Sequence, residues 1–318
     1  MTVSHEAPPC PACAARENTL TEAHAGYDLR TCEQCGLCFA DPMRPGDSAY
    51  YAQHIVYHAT DPGTLRNHYI SARRSANRRL LGMVPPGGRT LDVGCGFGAF
   101  VAFATELGFD AYGLDFNSDQ IFAGRETFGL GDRLIVGRVE DSANCLQRAA
   151  PFDLVTLFEV IEHVAEPAGL IEEVRGLLCP GGVLALSCPN EARWQPTGRI
   201  FVDYPPHHLT RWRPGTLRAL LERRGFAHIE TRIESSFRDL IWVTYSNRSA
   251  QSKMARAKLG LLPTASARPT GGGRLQAGRR KLLFALDRLL RIMCLPADLG
   301  LRALGVGTLS MRMMVRKV

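Results

Sequence analysis

No run of about 18 or more uninterrupted apolar residues occurs anywhere in the 318 residues of the chain, so a membrane-spanning helix is not expected. The opening MTVSHEAPPCPAC lacks the basic start and apolar core of a signal peptide. A cytoplasmic location is therefore the expectation, and the ten cysteines would there be kept reduced. Acids are scarce in one region. Residues 248–318 hold fifteen of the 38 Lys/Arg but only Asp287 and Asp298 among the acids, a local balance of +13 that leaves the rest of this +7 chain at −6. A basic segment on a mildly acidic body implies that one region meets an anionic surface, while the body itself is not built to bind nucleic acid. The apolar content of 45% suffices for one large domain plus smaller modules.

What is present begins with cysteine spacing. Cys10-Pro-Ala-Cys13 and Cys32-Glu-Gln-Cys35 are separated by eighteen residues. Two such knuckles can offer four thiolates to one tetrahedral Zn2+. Tyr27–Thr31 reads as a strand entering the second knuckle, Gly36 allows the turn after it, and Cys38 belongs to the exit rather than to the ligand set. A ribbon so small has little core of its own, so zinc would be structural, and four cysteines leave no open coordination position.

The segment TLDVGCGFGAF, Thr90 to Phe100, runs an apolar strand into Gly94, Gly96 and Gly98 ahead of an apolar helix. Such a turn at the C-terminal end of a parallel strand is where a doubly wound α/β sheet binds its cofactor. Gly94, Gly96 and Ala99 even satisfy the dinucleotide pattern, so the turn alone does not name the ligand. Strands are predicted at 89–94, 110–115, 133–137, 152–158 and 181–188, with helices near 98–108, 117–127, 142–148 and 167–179. The last helix carries Leu170, Ile171, Val174, Leu177 and Leu178 on one face, after Pro167 and before Pro180-Gly-Gly182. This alternation predicts a parallel sheet covered on both faces. The second strand ends in Asp115, a carboxylate able to accept hydrogen bonds from both ribose hydroxyls and to repel a 2′-phosphate. NAD and S-adenosylmethionine (SAM) both satisfy that condition.

Two features favour SAM. Asp92 sits inside the end of the first strand, placed to support the loop near a cationic amino-acid moiety. FDLVTLFEVIEHV, Phe152 to Val164, ends a strand at Phe158-Glu159 and continues into Ile161-Glu162-His163. Together with LDVGCGFG and LSCPN (Leu186 to Asn190), these residues closely resemble class I SAM-dependent methyltransferases, over roughly residues 75–236. The leader, with its two knuckles and the following GL-x-F-x-DP, and DYPPHHLTRWRPGTLRALLERRGF (Asp203 to Phe226) resemble the subgroup bearing an N-terminal zinc ribbon. The resemblance implies a Rossmann-like α/β fold with a seven-stranded sheet whose sixth and seventh strands run antiparallel. It places Gly94, Cys95, Gly96 and Gly98 around the methionine part of SAM. Asp115 would hold the ribose, Phe116 would flank the adenine, Val139 and Glu140 would fall at the adenine position, and Phe158 would lie near the methionine end. Cys95 reads as a small packing residue rather than a nucleophile.

Methyl transfer from a sulfonium asks the protein to position the acceptor, exclude water and, for a hydroxyl, take up its proton. Histidine suits that task, and His163, His207 and His208 are the candidates. No [DN]-PP-[YF] follows the fourth strand and no Pro-Cys nucleophile is present, which argues against methylation of base amino groups and of pyrimidine C5. Asp203-Tyr-Pro-Pro206 is a lookalike beyond the fifth strand. A small-molecule, glycan or lipid-linked hydroxyl is the default acceptor.

The sixth strand is predicted at 226–235 and the seventh at 307–317. Four segments follow: a zinc ribbon over 1–45, a helical linker or cap over 46–88, a methyltransferase domain over 89–236 plus 305–318, and a basic insertion over 237–304. Within the insertion, Thr264 to Gly278 has a composition that packs no core. Residues 279–295 read as a broad apolar helix with a narrow polar face. It suits peripheral contact with an anionic membrane at the inner surface, or packing on the body or on the second subunit of a homodimer. An RNA methyltransferase is the principal alternative, but Arg16 and Arg30 are the only clear phosphate contacts in the ribbon. An NAD-dependent oxidoreductase is the second.

Overall fold

A near-continuous apolar strand followed by an apolar-faced helix, repeated along the chain, is realised as a parallel sheet. The computed structural model describes residues 7–46, 62–73, 75–141, 149–194, 198–233 and 310–318, with the isolated positions 50, 146, 296, 297 and 300. By contacts the chain divides into two compact units. The first is Met1–Glu191, Val202–Arg232 and Met311–Val318; the second is Ala192–Phe201 and Ile233–Ser310. The architecture that follows is that of the first unit. The expected helices over 142–148 and 279–295 and nearly all of the insertion over 237–304 lie outside the described residues, as does the first part of the 46–88 linker.

The leader contributes three strands, β1 (Asn18–His24), β2 (Tyr27–Cys32) and β3 (Cys38–Asp41). The central sheet has seven: β4 (Arg89–Val93), β5 (Asp110–Asp115), β6 (Leu134–Val136), β7 (Phe152–Phe158), β8 (Leu178–Pro189), β10 (Phe226–Ile233) and β11 (Ser310–Lys317). Their spatial order is β10-β11-β8-β7-β4-β5-β6. The chain thus starts in mid-sheet at β4, steps out to β6, returns to β7 and continues outward the other way. The pairs β4–β5, β4–β7, β5–β6 and β7–β8 are parallel. The chain end inserts between β8 and β10, in the place predicted for a seventh strand. This reversal of strand order beside β4 creates the crevice in which open α/β sheets bind ligands.

Helices α1 (Pro62–Ala72), α2 (Ser75–Leu81), α3 (Ala99–Glu106), α4 (Ser118–Phe128), α5 (Pro167–Leu177) and α6 (Pro214–Arg223) accompany the sheet. α4 starts where the Asn117 side chain accepts from the Gln120 amide, and it stops at Gly129 in the left-handed region. α5 buries Leu170, Ile171, Val174 and Leu177, as its spacing predicts, but ends two residues early. Leu178 already pairs with Phe152, and Val183 with Leu154, so residues 179–182 bulge out opposite Asp153 instead of forming a break before the strand.

The three leader strands form a second sheet, completed by β9 (Thr210–Arg211) in the order β1-β2-β3-β9. β3 pairs antiparallel with β9 through Cys38↔Arg211 and Phe39↔Thr210. Leu37 and Phe39 of the leader lie in one buried cluster with Trp212, Leu217 and Leu220. The leader therefore shares both a sheet and a core with the segment that follows the fifth strand of the main sheet.

Candidate functional site

The loop after β4 is held down by hydrogen bonds to the end of β5. The Gly94 and Cys95 amides both donate to the Leu114 carbonyl, at 2.7 and 3.1 Å. The Gly96 amide donates to Asp115 Oδ2 at 2.9 Å, and the Asn117 amide to Oδ1 at 2.8 Å. Asp115 is nearly buried and clamps the glycine loop to the turn after its own strand. Burial pushes its carboxyl above the usual range, while the two amide bonds pull it back. Two glycines are irreplaceable on local grounds. Gly94 has φ +74° and a Cβ there would run into Val160; Gly98 has φ +72° and a Cβ there would come within 2.6 Å of Leu134 Cδ2.

Asp92 is buried and accepts from Thr156 Oγ1 at 2.6 Å; burial raises its carboxyl to about 7 despite that bond. The Cys95 thiol is pushed well above its usual value by burial and by the carboxylates of Asp92 and Asp115, which suits packing and not nucleophilic attack. Phe116 stands 43% exposed with the Arg138 guanidinium 5.8 Å from its ring centroid. The loop after β6 is thereby placed beside the turn after β5. On that loop Val139 points into the core cluster with Leu91 and Leu114, whereas Glu140 is exposed with Arg138 at 3.9 Å. Phe158 packs edge-to-face on Phe100 and lies under the Arg312 guanidinium, so its ring belongs to the wall of the crevice.

Beyond β7 the chain places a second group of polar side chains. Glu159 takes φ +56°, a left-handed conformation unusual for a non-glycine residue, and accepts from Ser187 Oγ at 2.8 Å. Glu162 is 1% exposed, and neither of its carboxylate oxygens has a hydrogen-bond partner among the described residues. Burial and the neighbouring Glu159 charge push its carboxyl well above the usual range. His163 Nδ1 lies 2.6 Å from the His207 carbonyl, and its Nε2 lies 3.8 Å from Glu162. Burial lowers the His163 imidazole to about 4. The rings of His163, His207 and His208 are mutually 4.8 Å apart between centroids, and His208 Nδ1 lies 3.9 Å from Asp203. All three predicted histidines thus converge, though forty-four residues separate His163 from His207. The pairing of exposed Glu159 with buried Glu162 was not singled out from the sequence. Its signal was present as two glutamates three apart ahead of a histidine, directly after an apolar strand.

The histidine loop is held from two sides. The Leu209 and Thr210 amides donate to the Glu162 carbonyl, and the Trp212 indole donates to Thr210 Oγ1 at 2.8 Å. From the leader, the Ala40 amide donates to the Leu209 carbonyl, His24 stacks on Tyr204 with centroids 4.1 Å apart, and Arg211 reaches Glu22 at 3.6 Å. Thr216 Oγ1 donates to the Cys35 carbonyl at 2.8 Å.

The four leader cysteines meet as the spacing predicts. Cys10 and Cys35 sulfurs lie 3.6 Å apart, as do those of Cys13 and Cys32, and all four ligand atoms lie within 4.8 Å of one another. Disulfides require about 2.05 Å. A tetrahedral zinc with Zn–S of about 2.3 Å puts its sulfurs roughly 3.8 Å apart, so the four side chains fit that ion.

Residues 66–231 match the family model described as a methyltransferase domain. Curated relatives include the ubiquinone biosynthesis O-methyltransferases of Psychrobacter cryohalolentis, 34% identical over 127 residues (38% of this chain, 48% of the relative), and Xanthomonas axonopodis pv. citri, 35% identical over 136 residues (42% and 52%). The chain spans about half the length of the curated relatives it matches. Among solved structures, a SAM-dependent methyltransferase from Archaeoglobus fulgidus superposes with a TM-score of 0.48 at 16% identity, covering 79% of this chain and 94% of that one.

Proposed function

The chain belongs to the methyltransferase-domain family, and on that premise we propose that it transfers the methyl group of SAM to a hydroxyl of a small-molecule acceptor. One observation carries the reading. The glycine loop clamped by Asp115 follows β4 and β5, Glu159 to His163 follow β7, and His207 and His208 lie on the segment after β8, all beyond the carboxyl ends of parallel strands. The glycine loop supplies donors and a carboxylate for a nucleoside with a free ribose; the histidines and glutamates supply polar groups for an acceptor oxygen.

In this reading SAM lies over Gly94–Gly98, with its ribose at Asp115, its adenine at Phe116 and its amino group towards Asp92. The acceptor oxygen attacks the methyl carbon in line as the carbon–sulfur bond breaks, leaving S-adenosylhomocysteine. The proton lost by the hydroxyl passes to the histidine–glutamate cluster. Positioning supplies most of the rate, since the sulfonium is already an activated donor. The printed names of the curated relatives support an oxygen acceptor. Neither an RNA substrate nor a nicotinamide cofactor is favoured beside that match. The basic balance of +13 over residues 248–318 supports an acceptor that is lipid-linked or met at an anionic membrane surface. Its dependence on charge is tested by co-sedimentation with anionic against neutral liposomes, where equal binding removes it.

The deciding experiment incubates the protein with methyl-labelled SAM and cell extract, followed by mass spectrometry of labelled products. A labelled methyl ether is expected, and a methyl ester would mean a carboxylate acceptor and overturn the hydroxyl reading. Label only on nitrogen or carbon, or calorimetry showing NAD but not SAM binding, overturns the proposal.

A further inference from the structure

We propose that His163, His207 and His208 form a second metal site, distinct from the four-cysteine knuckle and selective for a first-row divalent ion. One ring nitrogen from each lies within 4.8 Å of the other two, and this is the sole group of three or more candidate ligands besides the knuckle among the described residues. A metal–imidazole bond of about 2.0–2.1 Å needs nitrogens roughly 3.4 Å apart, so small rotations of side chains on one turn and one loop bring them to bonding distance.

Three further observations separate this cluster from a chance meeting of rings. His163 Nδ1 faces the His207 carbonyl at 2.6 Å, an acceptor that selects the Nδ1–H tautomer and leaves Nε2 as the ring's ligand atom. His208 Nδ1 lies 3.9 Å from the Asp203 carboxylate, within reach of its charge but beyond hydrogen-bond length. A ring nitrogen held by a carbonyl or carboxylate while the other faces the cation is the usual outer support of a metal-binding histidine. Independently, the Glu162 carboxylate is 1% exposed, has no hydrogen-bond partner for either oxygen among the described residues, and lies 3.8 Å from His163 Nε2. A buried carboxyl without donors is costly. A dication beside it supplies the missing charge. Three imidazoles with one adjacent carboxylate suit Zn2+, Fe2+ or Co2+ and not Mg2+ or Ca2+. Three protein ligands also leave a coordination position open to an oxygen of the acceptor, in contrast to the closed four-thiolate set. There the ion would lower the acceptor hydroxyl's pKa and hold the resulting oxyanion for attack, its proton leaving to bulk water or Glu162. This catalytic consequence rests on the proposed function; the binding does not.

Titration of the full chain, freed of metal under reducing conditions, with Co2+ tests the site. Two equivalents are expected. One carries thiolate-to-cobalt charge transfer in the near ultraviolet and is lost in Cys32→Ser/Cys35→Ser. The other shows only ligand-field bands and is lost in His207→Gln/His208→Gln, while SAM affinity, read by calorimetry, changes less than about twofold. A single equivalent in the unsubstituted protein, bearing the thiolate signature, overturns the site whatever the variants do. Two equivalents that both survive His207→Gln/His208→Gln and His163→Gln overturn it as well. Labelled product formed with one equivalent bound leaves the methyl-transfer reading standing and removes the second metal alone.

Discussion

At the scale of single residues, Asp92 is the group whose protonation the ligand should sense. Its folded carboxyl titrates at about 7, above the ordinary value of 3.8, because burial outweighs the Thr156 bond. A raised carboxyl pKa means that the folded protein holds a proton the unfolded chain has lost. Asp92 therefore favours the unliganded fold most at low pH, and that contribution declines as pH rises from about 4 to about 7. In the proposed placement the SAM amino cation lies beside Asp92 and would prefer its ionised form, so the proton would leave on binding. SAM affinity is expected to rise about tenfold from pH 6 to pH 8 and then level off. In Asp92→Asn the dependence should vanish; calorimetry that finds the same slope in the variant removes Asp92 from this role. Asp115 is tested differently. In Asp115→Asn an amide NH2 replaces one carboxylate oxygen and faces the Gly96 or Asn117 amide, donor against donor. The loss is expected to be about 1.5–3 kcal/mol of SAM affinity, tenfold or more. An unchanged dissociation constant sinks the clamp. The strand-end positions of Asp92, Asp115 and the glycines were legible in the sequence because strand-end glycines and a strand-end acid are local signals. Glu162 was not picked out, because its significance is burial without a partner, which only the packed fold reveals.

At the scale of elements, the parallel strands were read to within one to three residues where both faces are apolar. The larger departure is β9, a two-residue strand that no periodicity announces. Its partner β3 lies some 170 residues away in sequence and belongs to the leader, so the pairing has no local signature. The consequence is that the leader braces the loop carrying His207 and His208. Thr216→Val removes the bond between α6 and the Cys35 carbonyl and is expected to lower stability by about 1 kcal/mol, seen as a shifted urea midpoint. Cys32→Ser/Cys35→Ser should act further, raising KM for the acceptor and speeding hydrogen exchange at Leu209–Trp212, with SAM affinity retained. Exchange there as slow as in the parent protein would mean that the loop stands without the leader.

At the scale of the whole molecule, the segmentation drawn from composition places a boundary near residue 45. The buried cluster runs across it. Leu37 and Phe39 are fully buried against Trp212 and Leu217, so the leader cannot be withdrawn without exposing a tryptophan and several leucines of the main body. A small ribbon that holds zinc depends on the metal for folding, and with zinc on the four cysteines that dependence would be coupled to a larger core. Zinc removal by a strong chelator is therefore expected to lower the melting temperature of the ribbon-bearing unit by several degrees as one cooperative transition, since a loss of about 1 kcal/mol shifts a domain of 150–250 residues by roughly 2–4 °C. Calorimetry with circular dichroism measures it. If the leader were an independent module, chelation would leave the main transition in place and create a separate early one. A preserved main melting temperature would restore the boundary at residue 45 and detach the leader from the support of the histidine loop.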